Sequence, residues 1–331
     1  MFHQTRFKTC AVLLLAAAAV AYAFTTGFFG LELLTEVAIL AIVAIALDLV
    51  AGYGGMVSLC HGALYGVGAY AFASATVLLG WGGGAGMAMA VAAGGGFAWV
   101  IGAVSARTHG IFFIMATLAF GQMAYAYFFD SPLFGGSDGM PGIARLDLSG
   151  VGLELNDSRS YALFCTVLAA LAYGLTATLL RSCFGRTLVG IHANEPRMRA
   201  LGLSVWRHKA AAFGPSGALA GLAGALAAQH TMYVSPGLLH WTVSGELLIM
   251  VILGGLGTLV GAVLGAGVLV FVKHEVSRFT DHWHMVVGLV LIATVLSGGR
   301  GIFGQIEFWW GRRGAARRPA PETAEGSPDH A

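Results

Sequence analysis

Long apolar segments separated by short polar connections are the feature that most constrains this chain. Eight of them are about 18 residues or longer, enough for a helix to cross a bilayer, and they lie near residues 9–29, 32–51, 56–80, 83–105, 111–129, 160–180, 210–231 and 283–298. Charged residues make up only 10% of the chain, whereas soluble domains contain about 25%. The segments predict an all-α integral membrane protein built as a polytopic bundle.

A ninth apolar run, from Glu246 to Val272, decides how many times the chain crosses the membrane. As one helix it would be about 40 Å long, too long for a hydrocarbon core of about 30 Å. The glycine-rich stretch from Gly254 to Gly257 favours a break into two shorter elements, which gives about ten crossings. Each half is short for a full span, so a re-entrant or bundle-buried half stays open as an alternative.

Basic residues set the orientation, because short loops rich in Lys and Arg stay on the cytoplasmic side. Arg6 and Lys8 place the N-terminus there, and Arg107 follows four crossings later. The connection 130–159 is acidic and falls outside, whereas the connection 181–209 carries six basic residues against one acid and falls inside. Ten crossings therefore predict that both termini are cytoplasmic.

The two ends of the chain differ from the bundle between them. Near the N-terminus, basic residues, an apolar run and the sequence Ala-Tyr-Ala at 21–23 resemble a signal peptide. Because many apolar segments follow, we interpret this run as an uncleaved first span. Residues 311–331 are rich in Arg, Ala and Pro and then acidic, so a disordered tail is predicted.

Small residues recur at the spacing of one helix face. Gly-x-x-x-Gly patterns occur at 62/66, 217/221 and 257/261/265. Such patterns let membrane helices approach closely, so they predict helix packing and not chemistry.

The stretch IHANEPRMRALGL, from Ile191 to Leu203, is unusually polar for this chain. Asn194 or Glu195 is suited to cap a helix N-terminus, Pro196 suits its first turn, and Gly202 can end it. A surface helix of about two turns is predicted. From composition alone, this segment is equally well interpreted as a binding surface for another protein or as an ordinary basic cytoplasmic loop.

Several kinds of chemistry are excluded by missing motifs. None of the three lysines, Lys8, Lys209 and Lys273, follows a glycine, so the chain has no P-loop. If ATP is used, a partner hydrolyses it. Histidines 274, 282 and 284 lack a carboxylate and cysteine framework at ligand spacing, so no metal or cofactor is expected.

The sequence GRTLVGIHANEPRMRALGLSVWRHKAAAF, residues 185–213, resembles the cytoplasmic coupling loop of ABC-importer permeases of the branched-chain amino acid family. Residues 196–198 depart from the usual small or acidic residues of that loop. Further similar motifs are LDLVAGYGGMVSLCHGALYGVGAY (47–70), GIFFIMATLAFGQM (110–123), GGSDGMPGI (135–143), YVSPGLL (233–239) and ELLIMVILGGLGTLVGAVLGA (246–266). With RGIFG at 300–304, the chain resembles the second of the family's two permease subunits.

This resemblance implies a type II importer fold of about ten helices, with a transmembrane permease domain over 1–310 and a coupling loop over 185–209. The implied partners are a sister permease subunit, two ATP-binding cassette ATPase subunits, a periplasmic substrate-binding protein and membrane lipid, but not nucleic acid. The implied location is the bacterial inner membrane. The residues expected to couple to the ATPase are Arg186, Asn194, Glu195, Arg197, Arg199, Ala200, Leu201 and Gly202.

Polar residues inside the apolar segments are candidates for the translocation path, because such groups are costly in a membrane. Asp48 stands where the family usually has Asn. Three roles are open for Asp48: it contacts the substrate, it pairs with His61, or it bonds to a broken helix. Ser58 and His61 lie three apart, which places them on one helix face, in a Gly-rich stretch suited to local unwinding. They line the path or are packing residues. Glu246 opens its apolar run and is a further path candidate, or a residue that binds a helix N-terminus or caps its own helix.

The outer connections are candidates for docking the binding protein. The acidic segment 130–159 and the segment YVSPGLL fall on the same face in the predicted topology. Asp138, Asp147 and Tyr233 are therefore expected at the docking rim, although loops that merely cover the bundle would look similar.

The function expected from all these features is a permease subunit, not an enzyme, of an ATP-driven importer for branched-chain amino acids. A permease for urea or another small polar solute is the alternative. A single-component secondary transporter would need no ATPase and would contain inverted repeats. A membrane-embedded enzyme would need a nucleophile and base pair, which the sequence does not offer.

Overall fold

The computed structural model describes residues 6–147, 154–279, 283–296 and 301–305. In these ranges the helices are α1 (Arg6–Thr25), α2 (Phe28–Asp48), α3 (His61–Ala73), α4 (Gly83–Ser105), α5 (Ile111–Asp130), α6 (Ser158–Arg181), α7 (Cys183–Ala193), α8 (Glu195–Ala200), α9 (Val205–Thr231), α10 (Trp241–Gly254), α11 (Leu259–Ser277) and α12 (Trp283–Leu296). The two-residue strands β1 (Met140–Pro141) and β2 (Tyr233–Val234) pair antiparallel. The predicted tail at 311–331 lies outside the described residues.

Within the described ranges, six helical segments are long and apolar enough to cross a membrane. They are Phe28–Tyr53, Gly83–Ser105, Ile111–Asp130, Ser158–Arg181, Val205–Thr231 and Leu259–Ser277. The prediction of an all-α membrane protein is confirmed, and the chain is a multi-pass membrane protein. The count of about ten crossings stays a prediction.

The predicted break in the ninth apolar run is confirmed. Helix α10 ends at Gly254 and α11 begins at Leu259, so the run is two elements. Both helices pack closely at glycines: a Cβ at Gly254 would overlap the carbonyl of Gly261, and one at Gly265 would overlap the carbonyl of Met250. Small residues at these positions therefore let the two backbones touch.

Helix α9 lies at the centre of the bundle and is mostly buried. Gly217 and Gly221 face the backbone of α4, and Gly224 faces the Tyr65 carbonyl on α3. A Cβ at any of them would overlap a neighbouring backbone atom. The Gly-x-x-x-Gly pattern at 217/221 thus predicted helix packing correctly.

Two predicted segment boundaries were wrong. The run 56–80 is not helical from its start, because α2 continues through a π-helical turn (Leu49–Tyr53), residues 54–60 are irregular, and α3 begins only at His61. The first two spans also turn earlier than expected, at Thr26 and Gly27. Irregular backbone at membrane depth is tolerated where it is buried in protein or lines a cavity, and the glycine-rich sequence there permits it.

Candidate functional site

The stretch Ile191–Leu203 forms the predicted short helix between two longer ones. The side chain of Asn194 caps α8 by accepting from the N–H of Arg197 at 3.0 Å. Pro196 occupies the first turn, where a missing N–H costs nothing. Gly202 has a φ of 81°, a left-handed conformation that favours glycine and ends the helix. Each predicted cap and stop signal is therefore confirmed, with Asn194 as the cap.

Glu195 ties this helix to two other parts of the chain. Its Oε1 accepts from Arg199 at 2.7 Å and lies 3.0 Å from Nε2 of His109 in the α4–α5 connection. Its Oε2 accepts from Nζ of Lys209, on α9, at 2.6 Å. We call Glu195, Lys209 and His109 the Glu195 clamp. The clamp holds α8 against the end of the central helix.

The charges of the clamp are partly removed from water. The side chain of Lys209 is 10% exposed and that of Glu195 is 19% exposed. Burial disfavours the Glu195 carboxylate, but hydrogen bonds from Lys209 and His109 outweigh burial and lower the pKa of Glu195 to about 2. Charge-assisted hydrogen bonds of this length are the strong ones in proteins. Arg199 adds an exposed pair one helical turn away.

The rest of α8 and its flanks form an exposed surface. Met198 packs on Gly190 of α7, whereas Leu201 is 69% exposed. The other predicted coupling residues on this surface are exposed as well: Arg186, Arg197, Arg199, Ala200 and Gly202. An exposed cap of charged and apolar side chains on a fixed base is suited to contact another protein, but that contact stays a prediction.

A cavity of about 540 Å³ lies between α8 and the irregular segment after α2. Its walls come from residues 54–57, 108–110, 113–114 and 191–196, together with Lys209. His192 of α7 bridges one wall, with its Nδ1 3.3 Å from the carbonyl of Tyr53. A Cβ at Gly55, whose φ is 67°, would meet the His192 ring. The cavity thus joins the polar loop to the broken membrane helix.

Ser58 and His61 meet in a buried hydrogen-bond network, although Ser58 precedes α3 and does not share its helix face. Ser216 Oγ donates to the carbonyl of Ala46 at 2.6 Å, so it accepts from His61 Nε2–H at 2.8 Å. The other ring nitrogen of a neutral imidazole is an acceptor, and Ser58 Oγ lies 3.3 Å from it. The network joins α2, α3 and α9. A place on the translocation path stays a prediction.

Asp48 is fully buried at the end of α2. Its Oδ1 accepts from the backbone N–H of Gly257 at 2.8 Å, within the break between α10 and α11. One of the roles that the sequence left open for Asp48 is a bond to a broken helix, and the structure shows this bond. A substrate contact stays untested.

The sequence suggested that Glu246 begins its helix, but the structure places it inside the helix. Helix α10 begins at Trp241, and its N-cap residue, His240, makes no side-chain cap. Glu246 lies in the second turn and is half-buried. It therefore does not cap α10, and its place on the path stays a prediction.

The two predicted outer loops lie together at the end of the bundle opposite α8. Strands β1 and β2 pair there, with Met140 opposite Val234. The Tyr233 hydroxyl donates to the carbonyl of Asp138 at 2.6 Å, and the Asp138 and Asp147 side chains are exposed. The expected common face is thus present at the far end of α9, which is about 40 Å long.

The sequence reasoning missed a charged cluster between α2, α9 and α11. Glu32 lies 3.2 Å from His230, and Glu36 lies 3.0 Å from His274 and 3.7 Å from Lys273. The two glutamates are one helical turn apart on α2. The sequence signal for Glu32 and Glu36 is the same as for Asp48, an ionisable residue inside an apolar run.

Comparisons with known proteins agree with this architecture. The model of the family described as "Branched-chain amino acid transport system / permease component" matches residues 29–295. The chain is 27% identical over 306 residues to the high-affinity branched-chain amino acid transport system permease protein LivM of Salmonella typhimurium. It is equally similar to LivM of Escherichia coli, and both alignments cover 86% of this chain and 72% of the relative. No solved structure matches.

Proposed function

Because the chain belongs to the permease family of branched-chain amino acid transport systems, we propose that it is a transmembrane permease subunit of an ATP-driven importer for these amino acids. In this proposal the chain crosses the bacterial inner membrane about ten times in a type II importer fold, with both termini in the cytoplasm. Residues 1–310 form the permease domain and residues 311–331 a disordered cytoplasmic tail. A sister permease, two ATPase subunits and a periplasmic binding protein complete the importer.

The observation that carries the proposal is the clamped, exposed helix α8. Among the described residues its outer surface is exposed, while Glu195 attaches its inner side to α9 through Lys209 and to the α4–α5 connection through His109. A force applied to α8 therefore reaches the central helix of the bundle directly. A loop that served only to place basic charge inside would need no such connection.

The proposed mechanism is alternating access. ATP binding closes the two ATPase subunits, which move the coupling loop 185–209. Helix α8 carries this movement into α9, and the path opens toward the docked binding protein. Asp48, Ser58, His61 and Glu246 are the proposed path residues. The Asp48 bond to Gly257 and the His61 network fix breaks in helices, where small shifts open a path more readily than inside a regular helix.

The coupling role is tested by reversing the charge of the clamp. Glu195→Arg places a cation beside Lys209, His109 and Arg199. Helix α8 therefore loses its attachment to α9 and to the α4–α5 connection. In proteoliposomes holding the complete importer, this variant should hydrolyse ATP without matching uptake, although it still inserts and assembles. Arg207→Glu, an exposed charge reversal on the same connection, is the matched control. Normal uptake by Glu195→Arg contradicts the coupling role.

The cargo is tested separately from coupling. The binding protein encoded with this permease should bind Leu, Ile or Val, and unlabelled branched-chain amino acids should compete with labelled leucine for uptake. Urea should not compete. Uptake of urea without uptake of leucine would favour a permease for small polar solutes.

A further inference from the structure

We propose that the cavity beside α8 binds a free branched-chain amino acid on the cytoplasmic side, and that bound amino acid slows the importer. The inference rests on the proposed function and adds a second site, distinct from the path residues named above. It is carried by the volume of the cavity, by the charged and apolar groups of its lining, and by its position between the coupling helix and the broken membrane helix.

The cavity lining carries both charges that an amino acid requires. The Glu195 carboxylate and the Lys209 ammonium lie 2.6 Å apart, with His109 3.0 Å from the same carboxylate. The carboxylate of an amino acid can accept from Lys209 and His109 while its ammonium donates to Glu195. The ligand thus inserts into an existing ion pair without adding net charge to a partly buried site, which makes its burial affordable.

The cavity lining also includes apolar side chains. They are those of Met56, Val57, Phe113, Ile114 and Ile191. A branched aliphatic side chain can bury itself there while the charged groups of the same molecule face the clamp. The volume of about 540 Å³ falls in the range of small-molecule sites, about 300–1,000 Å³. A lining that contains both charged and apolar groups suits leucine, isoleucine or valine better than urea.

The position of the cavity gives its occupant a mechanical effect. Residues 54–57 belong to the irregular segment after α2, and residues 194–196 begin the coupling helix. A ligand that contacts both holds α8 against the membrane segment. Because coupling requires these parts to move, a high cytoplasmic concentration of the cargo should slow ATP hydrolysis.

Direct binding is the first test. The complex of both permeases and both ATPase subunits is purified in nanodiscs without binding protein. It is then mixed with radiolabelled L-leucine. Saturable binding is expected. N-acetyl-leucine and leucinamide each lack one charge and should compete at least about tenfold more weakly. Absence of saturable leucine binding overturns the proposal. Competition by N-acetyl-leucine and leucinamide that equals competition by unlabelled leucine also overturns it.

A cavity-filling variant locates the binding. Ile114→Trp enlarges an apolar side chain of the cavity lining and should weaken leucine binding by at least about tenfold. Ile111→Trp is the matched control, since Ile111 lies on the same helix, is 68% exposed and does not line the cavity. Equal binding by wild type and Ile114→Trp places leucine elsewhere and overturns the proposal.

Sidedness separates a cytoplasmic ligand from cargo in transit. In proteoliposomes with the ATPase subunits outward, external leucine should lower ATP hydrolysis, and Ile114→Trp should remove that effect. Inhibition by luminal leucine alone contradicts a cytoplasmic source. If the same vesicles, loaded with binding protein, move leucine from the lumen to the outside but show no inhibition, only this inference fails. If correctly assembled vesicles transport no branched-chain amino acid in that direction, the proposed function fails as well.

Discussion

Removing the charge of Glu195 should loosen the coupling helix without unfolding the bundle. Glu195→Gln keeps the size of the side chain and imitates the protonated acid, so it isolates the charge. The variant leaves Lys209, whose side chain is 10% exposed, without its anionic partner. Helix α8 has six residues and is too short to be stable alone. Its order therefore depends on the clamp.

The size of the effect follows from the pKa of Glu195. A shift from the ordinary value of about 4.3 to about 2 corresponds to about 3 kcal/mol at about 1.4 kcal/mol per unit. Since the carboxylate is 19% exposed, solvent screening reduces this to about 2 kcal/mol. A loss of about 2 kcal/mol increases the open population of α8 about 30-fold.

Hydrogen–deuterium exchange of the assembled importer in nanodiscs measures that population. Amides of residues 197–202 should exchange about 30-fold faster in Glu195→Gln, whereas those in α9 should change little. Arg199→Gln is the matched control, because it removes an exposed one-turn pair with Glu195 that contributes only about 0.3–0.5 kcal/mol. Unchanged exchange in Glu195→Gln, or equal changes in both variants, refutes the clamp.

The clamp also predicts a pH dependence. The pKa of Glu195 is lowered in the folded protein, so the stabilisation is complete above the ordinary Glu value of about 4.3. It declines as the pH falls toward about 2. Exchange of residues 197–202, corrected for the intrinsic rate, should therefore be the same at pH 6 and pH 8. A large change between these values would mean that a group other than Glu195 controls the clamp.

Three further predictions concern other parts of the chain. Asp48→Ala should leave the buried N–H of Gly257 without its acceptor and destabilise the subunit by about 1–3 kcal/mol. Asp48→Asn keeps an acceptor and should have a smaller effect, so equal thermal unfolding midpoints in detergent for both variants would contradict this bond. In an otherwise Cys-free variant, a cysteine at Ala316 should react with an impermeant reagent only from the cytoplasm; labelling from the periplasm would contradict ten crossings. Asp138→Lys with Asp147→Lys should slow uptake at low binding-protein concentration, most at low salt, because charge attraction is screened within about 10 Å at 0.1 M. Uptake that is insensitive to both changes at every salt concentration would exclude an acidic docking rim.

The sequence by itself determined the class of the protein and the local form of the coupling segment. Apolar run length is a direct consequence of bilayer thickness, so it predicted membrane helices without tertiary information. The break at Gly254–Gly257 followed from the same length argument. Caps are local too, and for that reason the roles of Asn194, Pro196 and Gly202 in α8 could be predicted from their spacing.

Tertiary structure alone decided which distant residues meet. Glu195 could be recognised as charged and Lys209 as a basic residue 14 positions later, but their ion pair depends on how α8 folds back onto α9. The bond from Gly257 to Asp48 and the network of His61 with Ser216 join residues more than 150 positions apart. Periodicity and composition carry no information on such pairs, because they arise from the packing of several helices at once. For the same reason the cavity beside α8, with walls from three separate segments, could be found only in the folded chain.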